Sequence, residues 1–170
     1  ETAAKTALLT KVLSSGTEMF PNIREINLYL ERMYGASFNA STEKHGENQV
    51  IAIKLDVLSE KYCAGIMPMV KTFIEQILFC PAKESGVFKN SIVDRQKLAQ
   101  KEEIEGIIND KRKYALLRCI EEMCSGEAYG VRINGTVEET MAVTCEELYK
   151  YYNEVLNTAK IDIFVSGDFN

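Results

Sequence analysis

Residues 50–57 set Ile51, Ile53, Leu55 and Val57 at every second position, with Val50, Ala52, Lys54 and Asp56 between them. A period of two sends alternate side chains to opposite faces, so the stretch reads as a strand with one apolar face. Ala36 to Thr42, small and β-compatible, lies just before it across a polar turn that holds His45 and Gly46, and the two read as a hairpin. One further segment alternates convincingly, Ile161, Ile163 and Val165, and it reads as a final strand. Three strands in 170 residues leave the mass to helices, and the class is α+β. Three are few for a sheet that must support five or six helices; strands contributed by an N-terminal segment outside this sequence would explain the shortage.

Helical spacing fills most of the remainder. Thr2 to Leu13 carries a broad stripe of Leu8, Leu9, Val12 and Leu13 and stops at Ser14-Ser15-Gly16. Asn22, with Glu25 three residues on, opens a second helix through Ile26, Leu30 and Met33 that Gly35 ends. Ser59 is placed to cap a long helix through Cys63, Ile66, Phe73 and Ile77, and Pro68 demands a kink or a start just before it. Pro81 to Lys89 reads as a loop and the best candidate for mobility. A charged helix covers Ile92 to Ile108, and Asp110 caps another through Tyr114, Leu117, Ile120 and Met123. Glu127 to Gly135 reads as a loop, and Thr144-Cys145-Glu146-Glu147 is a capping box opening a last helix through Leu148, Tyr152 and Val155.

Composition excludes several function classes. With 20 Lys and Arg against 25 Asp and Glu, the net charge of −5 repels phosphate backbones, so nucleic acid is a poor partner. No apolar run approaches the roughly 20 residues that span a bilayer, and no secretory signal opens the chain. The five cysteines (63, 80, 119, 124 and 145) are odd in number and include no C-x-x-C, which reads as buried thiols in a reducing cytoplasm. His45 is the sole histidine and sits in a polar turn, so no His-rich metal site can be built.

In order along the chain come Leu13-Ser14-Ser15-Gly16-Thr17, then Gly35-Ala36-Ser37-Phe38-Asn39-Ala40-Ser41-Thr42, then Glu102-Glu103-Ile104. Tyr129-Gly130, Gly135-Thr136 and Asp162-Ile163-Phe164-Val165-Ser166-Gly167-Asp168 follow. Taken together they resemble the pitrilysin/insulinase family of zinc metallopeptidases, specifically its bacterial branch without the zinc motif. The resemblance implies an antiparallel or mixed sheet with helices on one face, as in mitochondrial processing peptidase and other LuxS/metallohydrolase-like domains. It also implies that residues 1–170 form a single peptidase-like domain, a piece of a longer multi-domain chain whose first strands are missing.

Active members carry H-x-x-E-H on the first helix, because residues four apart share a face and deliver two imidazoles to one Zn²⁺. The resemblance puts that signature on Ala7-Leu8-Leu9-Thr10-Lys11. Ala7 has no lone pair, Thr10 is no base near neutral pH, and Lys11 places a cation where the metal belongs. The resemblance thus implies no catalytic residue, no metal ligand set and no cofactor here. Glu103 matches the family's third ligand; it reads either as a solvated carboxylate or as the ion partner of Lys11.

The same resemblance assigns peptide binding to Phe38, Asn39, Ala40, Ser41 and Thr42, where relatives hold extended substrate through main-chain hydrogen bonds. An ordinary half-exposed strand explains those residues equally well. The expected function is a catalytically inactive peptidase-like domain in the cytoplasm. It would serve as the structural or peptide-holding half of a clamshell, or as partner of an active chain. Its expected partners are a homologous domain in the same chain or a second subunit, and extended peptides. The alternatives are part of an active zinc metalloendopeptidase whose metal lies in another domain or subunit, and an assembly module without peptide affinity.

Overall fold

The computed structural model describes residues 2–167. Helix α1, Thr2–Leu13, runs through the middle of the molecule with eight of its twelve residues buried. Two of the eight are threonines, and each satisfies its hydroxyl locally: Thr6 Oγ1 donates to Thr2 O at 3.0 Å and Thr10 Oγ1 to Thr6 O at 2.9 Å. Small and aliphatic side chains on nearly every face let neighbours approach α1 from several directions.

Helix α2, Ile23–Arg32, begins as expected, with the Asn22 side chain accepting from the Glu25 N–H. It ends where the Gly35 and Ala36 N–H groups return to Leu30 O. Strands β1, Ser37–His45, and β2, Asn48–Asp56, pair antiparallel from Ser37 opposite Asp56 to His45 opposite Asn48. The two-residue turn places Gly46 at φ +62, a conformation that favours glycine at the first central position. The hairpin is therefore as expected, three residues longer at the end of its first strand.

Helix α3, Ile66–Phe79, starts two residues before Pro68, which settles the choice between a kink and a start. A proline in the first turn loses no intrahelical bond. Ser59 caps no helix; its carbonyl and hydroxyl hold a separate turn through Lys61, Tyr62 and Cys63. Residues expected as a mobile loop instead form a short hairpin, β3 (Lys83–Glu84) with β4 (Val87–Phe88). It is pinned by Phe88, 1% exposed, whose ring meets Tyr149 and Tyr152 edge-on at 5.4 and 5.5 Å.

Helix α4, Asn90–Gly106, passes through a 3₁₀ turn into α5, Lys111–Met123, which Asp110 caps through the Arg112 and Lys113 N–H groups. The expected loop after α5 contains a 3₁₀ turn at Ala128–Gly130. A helix that the sequence did not suggest, α6 (Val137–Ala142), follows, with a capping box of Thr136 and Glu139. The second box, Thr144 with Glu147, opens α7, Cys145–Thr158.

The expected last strand does not form. Residues 160–167 have no regular structure and pair with no strand among the described residues, and Ile163, Phe164 and Val165 stand exposed. Alternation says which side chains could share a face; a strand also needs a neighbour to take its backbone groups, and none lies beside this segment. Asp168 lies outside the described residues.

Two cores hold the layers together. One joins α1 to α4 and α7 through Leu8, Leu9, Val12, Val93, Leu148 and Tyr152. The other joins α2 to α3 through Ile26, Leu30, Met33, Phe73 and Ile77, and receives Phe38, Ile53 and Leu55 from the hairpin. Each fully buried aliphatic or Phe side chain contributes about 1.5–3 kcal/mol of burial energy. Helices therefore pack on the Phe38, Ile53 and Leu55 face, while Asn39 and Lys54 on the opposite face remain exposed. This is the α+β arrangement with helices on one face of an antiparallel sheet.

Candidate functional site

Ala7, Thr10 and Lys11 lie on consecutive turns of α1, and the hairpin and α4 determine what each one meets. Ala7 is 1% exposed and offers only a methyl group. Thr10 Oγ1 accepts from Thr42 Oγ1 at 3.0 Å while donating to the helix backbone, so this hydroxyl is engaged on both sides. Lys11 extends to α4, where its Nζ forms a hydrogen-bonded ion pair with Glu103 Oε2. The other carboxylate oxygen, Oε1, accepts from Asn134 Nδ2 at 3.0 Å.

Partial burial pushes the Glu103 carboxyl up, but the Lys11 ammonium, the Asn134 amide and the charge of Lys113 together hold it below its ordinary value. The carboxylate is therefore ionised and engaged on both oxygens. With both side chains partly exposed, solvent screens the attraction and the pair contributes modestly to stability.

Two residues that sequence reasoning missed complete the arrangement. Gln100, fully buried, sits one turn before Glu103 on α4. The two hydrogens of its Nε2 are shared among Ala4 O at 3.3 Å, Asn134 O at 3.0 Å and Thr140 Oγ1 at 3.0 Å. It ties α4 to the start of α1, to α6 and to the loop that presents Asn134. Its Oε1 is buried without a hydrogen-bond partner among the described residues, a cost of about 1–3 kcal/mol. The i, i+3 spacing to Glu103 was the available signal for Gln100; Asn134 had none, since the loop that carries it is placed by tertiary contacts.

The donor set does not fit zinc. A methyl, a doubly engaged hydroxyl, an ammonium and one carboxylate provide a single ordinary ligand where three are needed. Among the described residues no group of three or more His, Cys, Asp or Glu side chains could hold a metal ion.

Phe38 to Thr42 all lie on β1, which pairs with β2 on one side and, among the described residues, with no strand on the other. Phe38 packs edge-on against Phe73 at 5.0 Å, and Thr42 is bound to Thr10. Ser41 Oγ donates to Glu43 Oε1 at 3.1 Å on the opposite face. An open cleft of about 310 Å³ lies between the end of α1, with Lys11, Ser14 and Ser15, and β1, with Phe38, Asn39 and Ala40. No residue of β2 lines it, so it follows the unpaired side of β1. Lys11, Phe38, Asn39 and Ala40 thus share one cleft; Ala7, Thr10, Ser41, Thr42 and Glu103 do not line it.

The α+β fold has counterparts among known proteins. The chain is 33% identical over 167 residues to "Probable inactive metalloprotease YmfF" of Bacillus subtilis (strain 168), a match covering 96% of this chain and 39% of that protein. Among solved structures it resembles a conserved protein from Enterococcus faecalis V583 at a TM-score of 0.82 and 26% identity, over 91% of this chain and 37% of that one. It shares the fold of a peptidase M16 inactive domain from Pseudomonas fluorescens, with a TM-score of 0.66 and 15% identity, over 88% of this chain and 32% of that one. No protein-family model matches the chain. The chain spans well under half the length of each of these relatives. No helix among the described residues is long and apolar enough to cross a membrane.

Proposed function

We propose that this domain binds no zinc and cleaves nothing, and that it holds extended peptides along the free side of β1 while facing a homologous domain or subunit. The observation that carries the reading is the Lys11–Glu103 pair: an ammonium occupies the carboxylate that would otherwise be left for a metal. Peptide holding is supported by the cleft beside β1, since an unpaired strand offers backbone donors and acceptors that do not depend on the lost ligands. Similarity to a Bacillus subtilis protein named as a probable inactive metalloprotease supports catalytic silence. Five free cysteines support a reducing, cytoplasmic location.

Metal analysis of the intact chain with zinc supplied, a peptide-cleavage assay, and amide exchange along Phe38 to Thr42 with an unstructured peptide added test the reading together. Expected are no bound zinc, no cleavage and slowed exchange on β1. Stoichiometric zinc would overturn silence. Unchanged exchange would leave an assembly module without peptide affinity. Cleavage appearing only when a homologous partner is added would place the active metal in that partner.

A further inference from the structure

The cleft beside β1 has an unusual charge balance. Among the described residues that line it, Lys11 is the one charged side chain, and its ammonium is already in contact with Glu103. The rest of the lining divides between apolar groups (Ile23, Ile26 and Phe38) and side-chain amides. The amides of Asn27 and Gln96 make no hydrogen bond within the described residues, so their donors and acceptors are unspent.

An isolated ammonium at this position would draw acidic side chains, and an isolated carboxylate would draw basic ones. With the two in contact their fields largely cancel across the cleft. A charged side chain entering the cleft would then give up water without gaining an opposite charge. An uncharged one would meet free amides and an apolar floor.

Resting on the peptide-holding reading above, we propose that the Lys11–Glu103 pair makes the cleft selective for extended peptides whose side chain facing Lys11 is uncharged. The pair is a specificity determinant, rejecting both signs of charge by leaving each without a partner.

The test uses the intact chain and three labelled peptides of about six residues, a typical strand length, differing at one central position that holds Gln, Asp or Lys. Fluorescence anisotropy reads affinity, and circular dichroism checks the fold of each variant. The native chain is expected to bind the Gln peptide tightest. Glu103→Gln frees the ammonium and should shift the Asp-to-Lys preference toward Asp by about ten-fold, equivalent to about 1.4 kcal/mol. Lys11→Met should shift it toward Lys to a similar extent, and the double variant should return to the native order. Binding with the same order in every variant would overturn the specificity claim while leaving peptide holding intact. Binding of no peptide by any form would remove the peptide-holding reading, and the inference with it.

Discussion

Thr42 Oγ1 donates to Thr10 Oγ1 at 3.0 Å, fastening β1 to α1 one residue before Lys11. Thr10 Oγ1 in turn donates its hydrogen bond to Thr6 O, so the two hydroxyls are spent in one direction. Thr42→Val removes the donor and leaves Thr10 bonded to its helix, with an expected loss of about 0.5–1.5 kcal/mol. Thr10→Val strands the Thr42 hydroxyl beside an apolar surface and should cost more, about 1–3 kcal/mol. Urea unfolding midpoints measure both; equal or reversed costs would mean that this hydrogen bond does not join strand to helix.

Restoring ligands should restore metal. Ala7→His, Thr10→Glu and Lys11→His together, with Glu103 kept, put two imidazoles on one helix face within reach of the carboxylate that Lys11 now touches. The expected outcome is about one zinc per chain by elemental analysis, against none for Lys11→His alone. A folded triple variant free of zinc would show that the signature does not align with Ala7 and Lys11.

Acid stability should depend on Glu103. Its folded carboxyl lies below the ordinary value of 4.5, so the unfolded chain takes up its proton first as pH falls. The stabilisation is whole above the unfolded value and is lost as pH drops through the lower, folded one. Glu103→Gln should therefore flatten the acid limb of a stability-against-pH curve and leave its slope near neutrality unchanged. An identical acid limb in both proteins would contradict the pairing with Lys11 and Asn134.

Gly135 is held at φ +66, and a Cβ there would come within 2.6 Å of Ala4 Cβ and 2.9 Å of the Ala4 nitrogen. Gly46 has a similar φ of +62 with open space around it. Gly46→Ala should cost about 1–2 kcal/mol for the left-handed backbone alone, and Gly135→Ala measurably more because α1 must also shift. Thermal or urea unfolding of the two variants gives the comparison, and a Gly135→Ala cost no larger than that of Gly46→Ala would argue against close packing of this loop on α1.

Where local chemistry decides the outcome, the chain was legible. Asn22, Asp110 and Thr144 cap the helices they were expected to cap, because a cap needs only its own side chain and the next three N–H groups. Alternation at residues 50–57 found β2, since its partner is a short turn away. Helix α6 went unseen because six residues carry too little periodicity, although Thr136 and Glu139 form the same box as Thr144 and Glu147. The 81–89 segment looked mobile because nothing local announces that Phe88 packs edge-on against Tyr149 and Tyr152.

The sequence alone determined that α1 has no imidazole at residues 7 and 11 and no carboxylate at residue 10, since which donor atoms a helix can offer is written in residue identity. It also determined most of the helices and the hairpin, whose signals lie within a few residues of one another. Tertiary structure alone decided that Glu103 meets Lys11 and Asn134, that Gln100 joins three elements, and that residues 161–165 find no strand to pair with. Those outcomes depend on groups up to 96 positions apart, and only the packed chain brings them within hydrogen-bond reach.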